Sequence, residues 1–273
     1  MTTPDALPAD LAAALDAAAP RLAPLASIPV FFTTIGSTND VAATLAATPG
    51  GEGTVVIADT QTAGRGRRGH SWFSPPGAGL YVSVVLAPGR ARSAPDRATS
   101  LLTLSAGVAL ADAIERITGL APAIKWPNDL LVGRRKLAGI LAEAVAAPAG
   151  GTVTSVVLGY GINVSGAAYP PELSDRATSL ESELGRPIDR AALCAETLAA
   201  LAARYRDLLD ARFDAILDAW RDRAPGSRGA AVAWDDPDGA RTGTTAGIDE
   251  TGALLVRRGD RVDRIVAGEV RWL

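Results

Sequence analysis

The segment QTAGRGRRGHSW, residues 61–72, is rich in glycine and arginine and is the most informative stretch of this sequence about its fold. Gly64, Gly66 and Gly69 have the G-x-G-x-x-G spacing that dinucleotide-binding domains place between a strand and a helix. Here the apolar run VVIAD, which predicts a buried strand that ends at Asp59, precedes the loop. A second predicted strand, LYVSVV, follows the loop after two prolines. The helix that would meet a pyrophosphate is missing, and no acidic residue ends the next strand. The loop therefore does not predict a dinucleotide-binding domain.

The three arginines of this loop, Arg65, Arg67 and Arg68, indicate an anionic ligand. Guanidinium groups bind carboxylates and phosphates through paired hydrogen bonds, and the glycines between them allow the backbone to approach a ligand closely. A nucleoside triphosphate, or a carboxylate meeting a phosphate, fits this pattern, with Trp72 stacked on a purine. A nucleic acid fits less well, because the formal net charge is −3 and no recognition helix is evident. On this stretch alone, a solvated surface loop remains the alternative.

The composition narrows the class of protein. At 273 residues, 48% hydrophobic and 21% charged, the chain is expected to form one large domain or one domain with a small companion. The single cysteine, Cys194, excludes an internal disulfide and a cysteine-based metal cluster, and the single histidine, His70, excludes His-rich zinc sites. The acidic N-terminus lacks a secretory signal and no uninterrupted apolar run is long enough to span a membrane, so a cytoplasmic protein is predicted.

Hydrophobic periodicity predicts mixed strands and helices followed by a small β-rich unit. A helix is expected to begin at Ser37 or Thr38, a long helix to end at Gly119, and a further helical region to run from about Arg190 to Trp220. After RAPGSRG, short strands alternate with Asp/Gly turns. We therefore predict an N-terminal lead-in with a short helix at 1–29, a mixed α+β domain at 30–224 and a small β-barrel at 225–273.

Three further motifs stand at predicted strand ends or in tight turns: KWPND at residues 125–129, KLAGILAE at 136–143 and GYGIN at 159–163. Asn128 and Asp129 alone are most simply turn residues, and Lys136 alone is a solvated edge charge. The glycines of KLAGILAE and GYGIN mark backbone that a ligand can approach closely. Each motif is weak by itself, so their order along the chain carries the argument.

The order of the motifs resembles that of the biotin–protein ligases, also called biotin–[acetyl-CoA-carboxylase] ligases. The motifs are GSTND, QTAGRGRRGHSW, KWPNDLLV, KLAGILAE and GYGIN, and a C-terminal β-domain follows them. The resemblance extends from about Phe31 to Leu273. It implies a catalytic domain of the class II aminoacyl-tRNA-synthetase-like type, with a mixed sheet and helices, followed by an SH3-like β-barrel.

The resemblance also implies a reaction in two steps. The biotin carboxylate attacks the α-phosphate of ATP, with Mg²⁺ assisting, to give biotinoyl-5′-AMP and pyrophosphate. The ε-amine of one lysine on a biotin carboxyl carrier domain of an acyl-CoA carboxylase then displaces AMP. The chain is expected to act as a monomer or homodimer and to need no activated Ser or Cys.

By the same resemblance, residues are assigned to three roles. The catalytic residues are Arg67, Lys136 and Asp129, with Asp129 also a weak candidate for a metal contact. The biotin-binding residues are Ser37, Thr38, Gln61, Gly64, Arg65, Lys136, Gly139, Gly159 and Gly161. The ATP-binding residues are Arg67, Arg68, His70, Trp72, Asn128 and Asn163.

Two departures from the family pattern limit these expectations. His70 and Ser71 stand where family loops often continue with a basic pair. The resemblance therefore does not fix how many cations contact the triphosphate, and it assigns His70 no partner atom. Family members that repress transcription carry a winged-helix domain before the catalytic domain, whereas only about thirty non-basic residues precede the first strand here, so ligase activity without DNA binding is expected. A lipoate- or octanoate-ligase-like enzyme and a non-catalytic biotin- or nucleotide-binding regulator are the alternatives.

Overall fold

The structure is a computed structural model that describes residues 3–26, 28–48, 50–146, 153–236 and 239–273. Its helices are α1 (Ala9–Leu22), α2 (Thr38–Ala46), α3 (Pro95–Thr118), α4 (Leu180–Leu184), α5 (Arg190–Leu209) and α6 (Phe213–Arg223). Its strands are β1 (Val30–Ile35), β2 (Val55–Gln61), β3 (Gly79–Leu86), β4 (Ala123–Lys125), β5 (Asp129–Val132), β6 (Arg135–Ala146), β7 (Val153–Asn163), β8 (Arg228–Asp236), β9 (Gly239–Ile248), β10 (Leu254–Arg258), β11 (Arg261–Ile265) and β12 (Val270–Trp272).

A seven-stranded mixed sheet organises the larger part of the chain. Its order is β1-β2-β3-β7-β6-β5-β4, and only β1 and β2 run parallel. Strand β3 is buried along its whole length, which explains its continuous apolar sequence. The predicted α+β class is therefore confirmed.

Two layers of apolar side chains cover the two faces of this sheet. The larger core lies under α1, α3, α5 and α6 and includes Leu15, Leu102 and Trp220. The smaller core lies under α2 and includes Phe32 and Val157. Helix α3 is long and apolar enough by length and composition to cross a membrane, but 72% of its apolar window is buried inside the fold, as expected of a core helix.

The N-terminal segment contributes to the larger core. Helix α1 buries Leu11, Leu15 and Leu22 against the rest of the chain. Its last turn is also joined to α5, because Arg21 forms an ion pair of 2.9 Å with the nearly buried Glu196. Residues 1–29 thus include a packed helix, while residues 1–2 and 27 lie outside the described residues.

The boundaries of two predicted elements need correction. Strand β2 continues to Gln61 instead of ending at Asp59, because Thr34 and Ile35 of β1 pair with Thr60 and Gln61. The helical region from Arg190 is two helices, since Ala211 adopts a left-handed conformation with φ of 58° between α5 and α6. No glycine or proline marks that break, so the sequence pattern did not reveal it.

The C-terminal residues form a five-stranded antiparallel sheet with the order β11-β10-β9-β8-β12, consistent with the predicted SH3-like domain. This sheet contacts the larger part of the chain at the turn before β10. There the Trp126 indole N–H donates to the Gly252 carbonyl at 3.0 Å, and Arg97 Nε donates to the Glu250 carbonyl at 2.7 Å. Boundaries at 30–224 and 225–273 remain our proposal for the two domains.

Gly252 provides a test of this contact. Its φ is +83°, and an added Cβ would lie 2.6 Å from Leu104 Cδ1 and 3.0 Å from Leu101 Cδ2. We expect Gly252→Ala to lower the free energy of unfolding by about 2–3 kcal/mol, because a left-handed alanine and an overpacked contact add. Gly259→Ala is the matched control, since Gly259 has φ of +61° and open space around it, and should cost only about 1 kcal/mol. Equal losses in denaturant unfolding would contradict the packing argument.

Candidate active site

An inner cavity lies on the α2 side of the sheet, where strand ends, the N-terminus of α2 and the arginine loop meet. Its volume is about 50 Å³. Most of the predicted biotin-binding residues border it. The residues that line it are Ser37, Thr38, Asn39, Gln61, Arg65, Gly66, Arg67, Trp72, Val82, Asn128, Lys136, Gly139, Ile140, Leu141, Gly159, Tyr160 and Gly161.

A chain of uncharged hydrogen-bonding groups forms one wall of the inner cavity. Gln61 Oε1 accepts from the Thr38 backbone N–H at 2.9 Å and from the Thr38 hydroxyl at 3.1 Å. The Gln61 amide N–H in turn donates to Ser74 Oγ at 3.0 Å. Ser37 stands at the N-cap position of α2, as predicted, but its side chain caps no backbone N–H. These groups offer both donors and acceptors without a net charge.

Two polar residues were missed by the sequence analysis: Asn39, which lines the cavity, and Ser83, which lies behind it. Ser83 Oγ is fully buried and lies 2.7 Å from Thr38 Oγ1 and 2.6 Å from Asn39 Oδ1. The Asn39 amide N–H donates to Glu143 Oε2 at 2.6 Å. A Cβ on Gly159 would lie only 2.1 Å from Asn39 Oδ1, so a glycine at that position makes room for the Asn39 side chain.

Trp72, which was predicted to stack on a purine, also lines the inner cavity. A Cβ on Gly161 would be 2.4 Å from the indole Nε1, and a Cβ on Gly139 would be 3.0 Å from the ring carbon Cζ3. The two glycines pair directly across β6 and β7, so the indole packs against bare backbone. Trp72 Nε1 is buried without a hydrogen-bond partner among the described residues. The sequence analysis expected a ligand to approach these glycines; in the structure the Trp72 indole lies against them.

An outer cavity of about 150 Å³ lies on the other side of Trp72 and is bordered by both the arginine loop and the C-terminal sheet. It brings together most of the residues predicted for ATP and catalysis, together with Lys125 and Glu269, which the sequence analysis missed. The residues that line it are Gly66, Arg67, Arg68, His70, Ser71, Trp72, Lys125, Trp126, Pro127, Asn128, Asp129, Lys136, Gly268, Glu269 and Val270.

The junction of the two cavities is cationic. Lys136 Nζ lies 2.7 Å from Asp129 Oδ1 and 5.4 Å from the centre of the Trp72 ring. Arg67 donates to Asn128 Oδ1 at 3.0 Å. Burial lowers the pKa of the Arg67 guanidinium and the nearby Asp129 carboxylate opposes this shift, so Arg67 remains charged at neutral pH. Burial lowers the pKa of Lys125 in the same way, opposed by Asp129 and Glu269.

Arg65, predicted to bind biotin, lies at the rim of the inner cavity between two carboxylates. Its guanidinium is 2.7 Å from Asp40 Oδ1 and 3.0 Å from Glu143 Oε2. Because all three side chains are partly exposed, these pairs are screened by water. Arg65 is therefore free to exchange a carboxylate partner for an anionic ligand at little cost.

Two predicted residues do not line either cavity. Gly64 lies at the base of the arginine loop, where an added Cβ would be 2.4 Å from the Trp72 carbonyl, so it supports the loop instead of facing a ligand. Asn163 is buried, and its amide donates to the Thr178 carbonyl at 2.9 Å. The prediction that Asn163 faces the nucleotide therefore has no support in this geometry, because its donor group is already used within the fold.

Asp129 is the carboxylate that fits a magnesium contact best. It lines the outer cavity beside the predicted ATP-binding residues, and its Oδ1 pairs with Lys136 Nζ at 2.7 Å. No group of three or more His, Cys, Asp or Glu side chains suitable for a metal is present among the described residues. Mg²⁺ in nucleotide sites often uses one or two carboxylates together with phosphate oxygens, so a single carboxylate is compatible with it.

Comparison with known proteins identifies the family of this chain. Residues 31–163 match the model of the biotin/lipoate A/B protein ligase family. The chain is 37% identical over 243 residues to the bifunctional ligase/repressor BirA of Bacillus subtilis, covering 88% of this chain and 73% of that protein. It is also 37% identical to the biotin–[acetyl-CoA-carboxylase] ligase of Mycobacterium tuberculosis, with 86% and 85% of the two chains covered.

A solved structure shares the whole architecture. The biotin protein ligase from Aquifex aeolicus in complex with biotin and ATP superposes with a TM-score of 0.75 at 28% identity, over 89% of this chain and 97% of that chain. This likeness confirms the fold class that the motifs implied. The chain therefore belongs to the biotin–protein ligase family.

Proposed function

We propose that this chain is an ATP-dependent biotin–protein ligase that transfers biotin to a carrier domain of acyl-CoA carboxylases. The observation that carries the proposal is the pair of adjoining cavities, one walled by uncharged hydrogen-bonding groups and the other by cations, which meet at Arg67, Trp72, Asn128 and Lys136. The chemistry of the two linings matches a molecule with a neutral polar head beside the first cavity and a carboxylate tail at the second. The proteins to which the chain is similar include ligases named for biotin and acetyl-CoA carboxylase.

The inner cavity is suited to a ureido ring. This ring has one strong acceptor oxygen and two N–H donors, and Thr38, Asn39 and Gln61 provide groups of both kinds. Ser83 and Glu143 hold Asn39 from behind, so its amide orientation is fixed before the ligand arrives. Losing one such partner leaves a buried polar group unpaired, which is how a site of this kind rejects analogues that lack the ring.

The cationic junction is suited to the first step, in which the biotin carboxylate oxygen attacks the α-phosphorus of ATP and pyrophosphate leaves. Two anions must approach each other for this reaction, so the site has to offset their repulsion while aligning them. Arg67 and Lys136 are the cations at that point, and Asn128 and Asp129 hold them in place. Mg²⁺, which we assign to Asp129 and the phosphates, would neutralise charge on the departing pyrophosphate.

In the second step, a lysine amine of the acceptor attacks the acyl carbonyl of biotinoyl-AMP, the acyl–phosphate bond breaks, AMP leaves and the amine loses a proton. Asp129, which pairs with Lys136 at 2.7 Å, is the carboxylate placed to contact the incoming amine. No covalent enzyme intermediate is required. Cys194 is unsuited to form one, because burial raises the pKa of its thiol to about 12.

Two alternatives are less consistent with these observations. A lipoate or octanoate ligase shares the wider family but would not need the polar wall of Thr38, Asn39 and Gln61 for a ligand without a ureido ring. A non-catalytic regulator would not need Arg67 and Lys136 at the junction. Exchange of labelled pyrophosphate into ATP that depends on biotin, and not on lipoate, separates all three possibilities. A cytoplasmic location, no DNA partner and a monomer or homodimer remain our predictions.

The deciding experiment mixes the protein with ATP, Mg²⁺, biotin and a biotin carboxyl carrier domain and probes the carrier with streptavidin. We expect label on one lysine of the carrier and none when ATP, or Mg²⁺ by chelation, is removed. A carrier domain with that lysine changed to arginine is the control. Absence of label on the intact carrier would end the ligase proposal.

Arg67→Ala tests the junction. Because one charge-assisted contact contributes about 1.5–3 kcal/mol, we expect adenylation to slow by at least about tenfold and biotinoyl-AMP to escape faster. Single-turnover adenylation and a chase with unlabelled biotin measure the two effects. Arg92→Ala, which removes an exposed arginine outside both cavities, is the control and should match the unmodified protein. An unchanged escape rate for Arg67→Ala would remove Arg67 from this role.

Gly161→Ala tests the contact between the sheet and Trp72. The added methyl would lie 2.4 Å from the indole and displace it by an ångström or more, so we expect the KM for biotin to rise at least about tenfold. Gly166→Ala is the matched control, because a Cβ there meets only Ser182 Oγ at 3.5 Å. If both variants keep the same KM, Trp72 does not form part of the biotin site.

A further inference from the structure

The two ends of the arginine loop, residues 62–78, are joined by an ion pair that lies outside both cavities. The loop leaves β2 and returns to β3, but the pairing of these strands ends at Ala58 and Tyr81. Beyond that point the returning backbone has no partner on β2 until Gln61 bridges Ser74. The side chains of Asp59, in β2, and Arg190, in α5, span this unpaired interval.

Asp59 and Arg190 provide this support. The Asp59 carboxylate accepts from the Gly77 backbone N–H at 3.2 and 3.3 Å and from Arg190 Nη2 at 2.7 Å. Arg190 Nε donates to the Gly79 carbonyl at 3.2 Å. One guanidinium therefore links the outgoing strand and the returning backbone. We refer to Asp59, Gly77, Gly79 and Arg190 as the loop clasp.

The clasp rests on a rigid element. Arg190 is the first residue of α5, whose N-terminus is capped by the Asp189 side chain accepting from Ala192 N–H at 2.9 Å. Helix α5 buries most of its apolar residues against α1 and α3. The backbone that carries Arg190 is thus held in place by helix α5. The Arg190 guanidinium, through its hydrogen bonds, in turn holds the two ends of the loop.

The clasp also lies close to the ligand-binding residues along the chain. Gln61, which holds Thr38, comes two residues after Asp59, and Trp72 comes five residues before Gly77. A loop whose ends are fixed loses less conformational entropy when it closes over a ligand than one whose ends are free. The smaller loss of entropy raises the affinity for the ligand. It does not change the rate at saturation, because saturating ligand closes the loop whether its ends are fixed or free.

We propose that Asp59 and Arg190 are positioning residues that preorder the arginine loop, and so set how tightly biotin and biotinoyl-AMP are held. This inference rests on the proposed ligase function. The pair touches neither cavity that we assign to the substrates. Its effect therefore differs from that of Arg67 and Lys136, which act on the reacting groups.

The test uses Arg190→Gln, Arg190→Lys and Asp59→Asn in the full chain. For Arg190→Gln we expect the KM for biotin and the release rate of biotinoyl-AMP to rise at least about fivefold, with kcat for pyrophosphate exchange at saturation changed less than about twofold. Arg190→Lys keeps the charge beside Asp59 and should recover part of the lost affinity. Asp59→Asn should resemble Arg190→Gln and serves in its place if that variant does not fold.

Arg204→Gln is the matched control, because Arg204 lies on the same helix in an ion pair of 2.9 Å with Asp112 and has similar exposure. It should lower the melting temperature about as much as Arg190→Gln but leave the KM and the release rate unchanged. If Arg190→Gln also leaves both unchanged, the clasp is only structural and the proposal is wrong.

Hydrogen exchange of the ligand-free protein separates this proposal from the ligase proposal. Arg190→Gln should speed exchange of the amides in residues 62–78 relative to the unmodified protein and to Arg204→Gln. That result supports preordering even if no biotin-dependent pyrophosphate exchange is found, in which case the ligase proposal alone fails. If Arg190→Gln leaves hydrogen exchange in residues 62–78 unchanged, the proposal that the clasp preorders the loop is wrong.

Discussion

A strip of bare backbone in the middle of the seven-stranded sheet determines the geometry of the site. Gly139 and Gly161 face each other across β6 and β7, and Gly159 faces Leu141 in the same ladder. Without Cβ atoms at these positions, the Trp72 indole and the Asn39 amide lie directly against the sheet. The sheet is rigid because every strand around this strip is paired, so what packs on it is placed precisely. The polar wall and the cationic junction are both positioned from this surface.

The charges of the site are balanced within the ligand-free protein. Arg65 is paired with Asp40 and Glu143, and Lys136 is paired with Asp129. Because these side chains are partly exposed, water screens the pairs and they hold the cations only weakly. An incoming carboxylate and phosphate offer the same cations new partners, and the protein carboxylates are then free for other contacts. This exchange explains how an acidic protein concentrates cations at one point without losing stability.

The sequence predicted which segments meet in the site but not all of the residues that complete it. The order of the motifs, and the family resemblance that it carries, indicated Gln61, Lys136 and the paired glycines, whereas each motif alone did not. Ser83 and Glu143 look like ordinary strand residues, and only the register of β3 and β6 against β7 brings them behind Asn39. Asn163 looked like a ligand-facing residue because it ends a glycine-rich strand, yet its amide satisfies the Thr178 carbonyl instead. The contact partner of a buried amide depends on tertiary packing, which motif spacing does not encode.

The C-terminal sheet contributes to the chemistry through its contact with the KWPND turn. Trp126 donates to Gly252, and Lys125 lies 5.8 Å from the centre of the Trp272 ring, so both residues that precede Pro127 contact the second sheet. The same turn presents Asn128 to Arg67 and Asp129 to Lys136. Residues 268–270 form the opposite wall of the outer cavity. A shift of the C-terminal sheet would therefore move the wall of the outer cavity and the partners of both junction cations together.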